Sequence, residues 1–325
     1  MKKEFVLNRF IFIFIFIFIF ILYGFNGWNG DRDAYESIFY SDGSIVVEKG
    51  FSWLADKFKG YGFNYQEFQL IISCVSLLLL YSYINKNTNN RNIFLLFYVF
   101  CFFPLDYVLV RNFLSFCICL IAFNFLQHKE DKFSFLVLLL VAYLIHQSAL
   151  CFIIFVFMPL NNVLNLKKYF VFGFISLFVY FFVKDSLFEI MGLKEHFEIY
   201  ANSVKSAVFN SFVHFLFSIS IIFYVLKNNF LNKKDIFIVN FNLISMGFLI
   251  FYFESEILIR LIRFVLFFNM CYLSNFIFLK KNWLFCSAYM FFSGCYLFLM
   301  FLFPTLELSV YPLIFDNLLF RGVFY

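Results

Sequence analysis

Charged residues are scarce in this sequence: they make up 14% of its 325 residues and fall in short clusters. Hydrophobic residues make up 63%, and 60 positions are Phe alone. No soluble core requires so much apolar sequence, which excludes a soluble globular protein. Apolar runs of about 15–20 residues recur between short polar turns, as in proteins whose helices cross a bilayer repeatedly. The sequence therefore predicts an all-α, polytopic integral membrane protein with about 10–12 transmembrane helices.

Metal-binding and nucleotide-binding motifs are also missing. The eight cysteines lie inside or at the ends of apolar runs, and no Cys-x-x-Cys pair has metal-type partners. Neither a disulfide framework nor a zinc site is therefore expected. No Walker motif occurs either. We expect no cofactor and no metal ion. The net charge of +5 does not indicate nucleic-acid binding, because the distribution of the charges matters and their sum does not. We therefore expect no nucleic-acid partner.

The apolar runs define the expected membrane crossings. Run 10–22 follows a basic start, and no Ala-x-Ala type of cleavage site comes after it, so we expect a retained first span. Residues 133–158 form either one long, tilted helix or two helices broken at His146. Placing His146 at mid-span is the more costly arrangement, so we expect the break. The expected crossings are 10–22, 68–84, 93–103, 112–127, 133–145, 147–160, 169–183, 211–226, 236–253, 264–279 and 283–303.

Two polar stretches, 24–67 and 184–210, are expected as large outward-facing loops, the first with a short amphipathic helix near 51–58. The N-terminus and the short turns on its side carry 14 Lys and Arg residues against four acidic residues. The other side carries 11 basic and 16 acidic residues. Basic residues in short turns mark the cytoplasmic side, so a cytoplasmic N-terminus is expected. Chemistry on the outer face cannot draw on ATP or on a nucleotide sugar.

Arg111 and His146 are the leading candidates for a functional site. Two apolar segments joined by the turn 128–132 separate them, so the chain returns to the side it left and both residues lie at the same face. Ionisable groups at membrane depth are costly and by default functional. Arginine suits bidentate contact with phosphate, although many helix-end arginines only snorkel to the interface. His146 is either a general base, a hydrogen-bond donor to a phosphate or sugar, or a capping residue at a helix junction.

Further candidates lie on the same predicted face. Arg260 and Arg263 are three residues apart, so they share one face if that segment is helical, and each either binds an anion or snorkels. Asp33 and Glu48 are carboxylates of the first loop that either act as a base or only solvate it. Glu48, which precedes Gly50 and Phe51, is the better candidate of the two. His128 is interpreted as structural, and His196 and His214 are left unassigned.

Five short motifs occur along the chain: Asp33-x-Tyr35, Glu48-Lys-Gly-Phe51-x-x-Leu54, Arg111-Asn-Phe-Leu-Ser, His146-Gln-Ser148-Ala-Leu and Arg260-Leu-Ile-Arg263-Phe. In these motifs the chain resembles the EpsG-like group of Wzy-type polymerases of bacterial O-antigen, capsule and exopolysaccharide. The resemblance holds in order and spacing over roughly residues 25–270. Asn112 and Ser115 depart from the family's usual Arg-Gln-x-Leu-Ala segment.

The resemblance implies a metal-independent glycosyltransferase of the bacterial inner membrane. It would transfer a growing glycan from undecaprenyl pyrophosphate to the next lipid-linked repeat unit at the periplasmic face. The matching positions imply that Arg111, Arg260, Arg263 and Tyr35 bind pyrophosphate or sugar. The base would be His146, Glu48 or Asp33. The implied partners are the lipid-linked glycans, membrane lipid and a separate chain-length regulator, or co-polymerase.

Other classes of protein fit parts of the same pattern. A flippase of lipid-linked oligosaccharides would also be polytopic with buried arginines, but the halves of this chain show no internal repeat. A membrane O-acyltransferase would take its acyl donor from the cytoplasm and would need inward-facing polar residues, which are scarce here. A non-catalytic assembly partner is a further alternative that the sequence leaves open.

Overall fold

The computed structural model describes residues 2–41, 48–164, 204–228, 232–253, 256–279 and 281–320 of the chain. The α-helices of this part are α1 (Lys2–Gly24), α2 (Arg32–Tyr40), α3 (Lys49–Gly60), α4 (Tyr65–Asn87), α5 (Arg91–Cys101), α6 (Phe103–Asp106), α7 (Val110–Lys129), α8 (Lys132–Ile145), α9 (Val204–Lys227), α10 (Lys233–Ser245), α11 (Glu256–Ile259), α12 (Leu261–Leu273), α13 (Trp283–Leu297) and α14 (Tyr311–Phe315). 3₁₀ helices follow at Gln147–Phe157, Met246–Phe253 and Phe303–Thr305, and π-helical turns at Phe298–Leu302 and Leu306–Val310.

The prediction of an all-α, multi-pass membrane protein is confirmed. Five helices of the described chain are long and apolar enough to cross a membrane: Tyr65–Asn87, Val110–Lys129, Ser206–Lys227, Lys233–Phe253 and Trp283–Phe315. Shorter apolar helices lie at Phe10–Gly24, Arg91–Cys101, Lys132–Ile145, Gln147–Phe157 and Leu261–Leu273. The predicted span 169–183 and residues 184–203 of the predicted second loop lie outside the described residues. The remainder of that loop, 204–210, already belongs to α9.

Asparagine caps set the starts of two long helices earlier than hydropathy predicts. The Asn64 side chain accepts a hydrogen bond from the Glu67 backbone N–H at 3.0 Å, and the Glu67 carboxylate accepts one from the Asn64 N–H at 2.8 Å. Asn232 and Asp235 form the same reciprocal arrangement ahead of α10. Such a capping box satisfies N–H groups that have no partner inside the helix. Helix α4 therefore starts at Tyr65, before the apolar run that begins at residue 68.

The described residues form two compact units. The first comprises Met1–Phe125, Phe133–Leu150 and Met270–Tyr325, and the second comprises Leu126–Lys132 and Cys151–Asn269. The first loop belongs to the first unit. It contains α2 and α3, and α3 confirms the amphipathic helix expected near 51–58 because its Phe51 and Ala55 are buried while its basic residues are not.

In the first unit, amide side chains close the C-terminal end of α1. Gln69 Nε2 donates to the Tyr23 carbonyl at 2.9 Å, Gln66 Nε2 to the Gly24 carbonyl at 2.6 Å, and Asn317 Nδ2 to the Ile21 carbonyl at 3.1 Å. The last carbonyls of a helix lack partners inside it, and leaving them unpaired in apolar surroundings costs several kcal/mol each. These amides satisfy the helix end without water.

The C-terminal segment pairs with the backbone just after α1. The Gly27 N–H donates to the Asp316 carbonyl at 2.7 Å, and the Leu318 N–H donates to the Phe25 carbonyl at 2.8 Å. A Cβ atom on Gly27 would lie 2.7 Å from that same Asp316 oxygen and 2.9 Å from the Leu318 side chain. The close approach therefore depends on glycine at this position.

In the second unit, His214 is buried and bonded through both ring nitrogens. The Ser245 hydroxyl donates to the Asn242 carbonyl at 2.9 Å, so its oxygen accepts from His214 Nε2–H at 3.1 Å. Nδ1 then accepts from the Tyr252 hydroxyl at 2.7 Å. This directed chain fits a neutral histidine and ties α9 to α10 and to the 3₁₀ helix Met246–Phe253. His214, unassigned from the sequence, therefore has a packing role.

Replacing Gly27 by Ala tests the contact with the C-terminal segment. The added methyl group would push against a backbone carbonyl, and overpacking of this kind typically costs about 1–3 kcal/mol. We expect a lower midpoint of thermal unfolding for the purified protein in detergent. Gly60→Ala is the matched control, because a Cβ there meets nothing within 4 Å. Equal midpoints for the two variants would contradict the packing role assigned to Gly27.

Candidate active site

Arg111 lies at the start of α7 with its side chain 22% exposed. Its guanidinium carbon is 5.4 Å from the centre of the Tyr35 ring and 5.8 Å from that of the Phe51 ring. Cations within about 6 Å of an aromatic ring are attracted to its face. The two rings therefore stabilise the guanidinium by cation–π contact.

Glu48 is the ionic partner of Arg111. Arg111 Nη1 forms a close ion pair with Glu48 Oε2, and the Glu48 side chain is 11% exposed. The other carboxylate oxygen, Oε1, accepts from the Gln147 backbone N–H at 3.4 Å. Hydrogen bonds between ionised groups are about twice as strong as neutral ones. One guanidinium and one backbone N–H thus hold a single carboxylate, in the geometry of an anion-binding site.

Gly50 permits the approach that brings these groups together. A Cβ on Gly50 would lie 2.6 Å from the Leu144 carbonyl oxygen, closer than real Cβ atoms come. Glycine therefore lets the first turn of α3 pack directly on the last turn of α8. That packing places Glu48, just before α3, beside Gln147, just after α8. The three elements α3, α7 and α8 meet at the ion pair.

Tyr35 is anchored by the aromatic core of the first loop. Its ring lies 6.1 Å from the Phe51 ring, which in turn packs 5.7 Å from Phe68 of α4. Burial raises the pKa of the Tyr35 phenol, and the adjacent Arg111 guanidinium counters part of that shift. The phenol therefore stays protonated at neutral pH and keeps an O–H group beside Arg111.

His146 lies at the junction between α8 and the 3₁₀ helix Gln147–Phe157, where the helical type changes as the sequence predicts. Its Nδ1 accepts from the Ser148 backbone N–H at 3.2 Å and lies 2.8 Å from the Ser148 hydroxyl. A nitrogen that accepts carries no proton, so the neutral ring bears its proton on Nε2, as inferred from these partners. His146 therefore caps the second helix, and its Nδ1 is occupied.

The structure brings together only some of the predicted site residues. Arg111, Glu48 and Tyr35 are in contact, and His146 precedes Gln147 of the same cluster. Asp33 is exposed on α2, and residues two apart on a helix do not face each other, so it points away from Tyr35.

The candidates Arg260 and Arg263 belong to the second unit. Arg263 is 2% exposed in α12, whereas Arg260 is half-buried between α11 and α12. The helix expected to carry both on one face is interrupted at Arg260. The Arg263 N–H donates to the Arg260 carbonyl at 3.1 Å.

Two contributors to the first-unit site were not identified from the sequence. Phe51 and the Gln147 backbone N–H complete the surroundings of the ion pair, but neither of them was assigned a role from the sequence.

Arg32, a loop residue with its side chain 12% exposed, was also missed. It donates from Nη1 to the Asn26 carbonyl at 2.7 Å and stacks on Tyr65 at 5.1 Å. Arg32 therefore ties α2 to the end of α1. Its spacing of four from Glu36, with which it forms an ion pair at 3.7 Å, was the available signal.

Replacing His146 tests whether its side chain stabilises the helix junction as a cap. Asparagine is a good N-cap and can accept the Ser148 N–H, whereas loss of a cap costs about 0.5–2 kcal/mol. We expect His146→Asn to keep the thermal midpoint of the wild-type protein and His146→Ala to lower it. Differential scanning fluorimetry in detergent measures both. A destabilised Asn variant, matching Ala, would show that the cap does not stabilise this junction.

Comparison with known proteins gives the chain a family. No curated protein and no solved structure matches the chain. The EpsG family model matches residues 9–315, nearly the whole chain, including every residue of the ion-pair cluster. The chain therefore belongs to the EpsG family, a family of Wzy-like polysaccharide polymerases acting on lipid-linked glycans.

Proposed function

We propose that this protein is a Wzy-type polymerase that joins undecaprenyl-pyrophosphate-linked repeat units of an O-antigen, capsule or exopolysaccharide. The observation that carries the proposal is the Arg111 site: a half-buried guanidinium held between Tyr35 and Phe51 and paired with a carboxylate. The planar guanidinium of arginine binds phosphate through two parallel N–H donors. A carboxylate beside the same arginine supplies the other group that glycosyl transfer needs.

The proposed reaction uses these groups in defined roles. The hydroxyl oxygen at the non-reducing end of the acceptor repeat unit forms a bond to the anomeric carbon of the donor glycan. The bond from that carbon to the phosphate oxygen breaks, and its electron pair leaves with undecaprenyl pyrophosphate. Arg111 stabilises the negative charge that develops on this leaving group. The hydroxyl proton passes to Glu48, and the reaction needs no metal ion because Arg111 supplies the positive charge.

The three candidate bases differ in their position relative to Arg111. Glu48 is preferred because its carboxylate lies beside Arg111. His146 is less suited, since its Nδ1 is taken up by the helix cap, and Asp33 is exposed and directed away from Tyr35. Arg260 and Arg263 are proposed as further anion-binding residues of the second unit. Tyr35 contributes its ring and phenol to the site.

The proposed setting follows from the charges of the sequence. The positive-inside rule supports a cytoplasmic N-terminus in the bacterial inner membrane and a periplasmic first loop. The lipid-linked glycans would enter from the membrane, with their pyrophosphate at the Arg111 site. A separate co-polymerase is proposed to set chain length.

Substitution of Arg111 tests the proposal in a strain lacking the chromosomal gene. Removing one charge-stabilising donor typically costs about 10²–10³-fold in rate. We expect Arg111→Ala to leave surface lipid carrying a single repeat unit in place of the polysaccharide ladder. Arg111→Lys should also be strongly impaired, because it keeps the charge but loses the planar fork and the ring stacking.

Lys57→Ala is the matched control, since this exposed cation of the same loop lies 6.0 Å from Trp53 and away from the ion pair. Its ladder should be unchanged, and immunoblots of the membrane fraction should show equal amounts of each variant. A normal ladder with Arg111→Ala would overturn the proposal. Repeat units held on the cytoplasmic side after gene deletion would indicate a flippase, and loss of acetyl groups alone would indicate an acyltransferase.

A further inference from the structure

Glu48 occupies the position that an incoming anion would need. Its carboxylate takes the Arg111 Nη1 donor through one oxygen and the Gln147 backbone N–H through the other. Both donors belong to fixed elements, the first turn of α7 and the start of the 3₁₀ helix. Backbone N–H groups at helix N-termini and arginine guanidinium groups both bind phosphate well. A carboxylate therefore fills a site whose donors also suit a phosphate.

We propose that Glu48 is a displaceable internal anion: substrate pyrophosphate replaces it at Arg111, and the released carboxylate then acts as the base. The inference rests on the proposed function and adds an order of events to it. The base becomes available only when a donor substrate has been bound.

The guanidinium is suited to such an exchange. Arg111 Nε is buried and has no hydrogen-bond partner within the described part of the chain. The Glu48 contact with Gln147 is long, at 3.4 Å, so this carboxylate does not saturate the donors around it. A pyrophosphate offers more acceptor oxygens and more negative charge than a carboxylate does. Tyr35 and Phe51 contact the guanidinium through their rings, so these two contacts remain when the Glu48 carboxylate leaves.

The exchange requires movement of one side chain only. The Glu48 backbone carbonyl accepts from the Ser52 N–H at 3.1 Å and from the Ser52 hydroxyl at 3.3 Å, which fixes the residue as the N-cap of α3. Rotation about the side-chain bonds then moves the carboxylate off Arg111 while α3 stays packed against Leu144. The freed carboxylate remains within one side-chain length of the bound pyrophosphate, where it accepts the proton of the attacking hydroxyl.

The test measures binding and turnover separately on the full-length protein in nanodiscs, with farnesyl pyrophosphate as the binding probe. Glu48→Gln keeps the size of the side chain but cannot compete as an anion. We expect it to bind the probe at least about tenfold more tightly than wild type, equivalent to about 1.4 kcal/mol. Turnover of lipid-linked repeat units should fall by about 10²–10⁴-fold, since the base is lost.

Two further variants keep the test interpretable. Glu48→Ser retains a good N-cap but is too short to reach Arg111, so it should also bind the probe more tightly even if Gln disturbs packing. Glu36→Gln is the matched control: this glutamate pairs with Arg32 at 3.7 Å, and its side chain is 42% exposed. Its probe affinity and its turnover should both equal those of the wild-type protein.

The outcomes separate this inference from the proposed function. Unchanged or weaker probe binding by both Glu48 variants overturns the exchange, and the polymerase proposal survives if Arg111→Ala still abolishes turnover. Tighter binding with full turnover overturns the role of Glu48 as base. If both Glu48 variants bind the probe more tightly but the wild-type protein polymerises no lipid-linked repeat units, the exchange of anions is upheld and the polymerase proposal is overturned.

Discussion

A half-buried arginine requires a partner, and this requirement organises the first unit. The Arg111 charge is matched by Glu48 and by two aromatic faces, and each of these lies on an element of the first loop. Because that loop supplies the partners, its helices must fold down on the membrane-spanning helices rather than extend into solvent. The free-energy cost of leaving this partly buried charge unpaired thus favours the folded arrangement of the loop.

Amide side chains provide hydrogen-bond partners for buried polar groups, both for backbone carbonyls at the end of α1 and for one another between helices. Gln66, Gln69 and Asn317 close the end of α1, and Asn87 of α4 bonds to Asn124 of α7 at 2.7 Å. Asn242 and Asn269 pair in the same way in the second unit. Hydrogen bonds between helices in membranes are worth only about 0.6–2 kcal/mol each. Their value here is directional, since each fixes the register of one helix against another.

The sequence predicted the parts of this structure that depend on local pattern. Apolar runs predicted the helices, and the turn 128–132 predicted that Arg111 and His146 lie at the same face. In the structure Glu48 contacts both Arg111 and the N–H of Gln147, the residue after His146. Helix ends were less well predicted, because the caps at Asn64 and Asn232 lie outside the apolar runs. The contact between Gly50 and Leu144 was not predictable, since it joins segments far apart in sequence. Capping was one of the roles that the sequence left open for His146, and the bond from the Ser148 N–H supports that role. The contact of Arg32 with Tyr65 also joins residues far apart in sequence and was not predictable.

The closure of α1 by the end of the chain has a consequence for biogenesis. Asn26 donates to the Pro312 carbonyl across 286 residues, and the Asn317 contact with Ile21 spans 296. A ribosome that delivers the chain from its N-terminus inserts α1 long before these partners exist. Until residues 312–317 have been synthesised, the end of the first helix lacks these partners and packs against earlier elements, α4 and α5 among them. The backbone at the end of the first helix is therefore fully paired only after residues 312–317 have been synthesised, and a stop in translation before them would leave it unpaired.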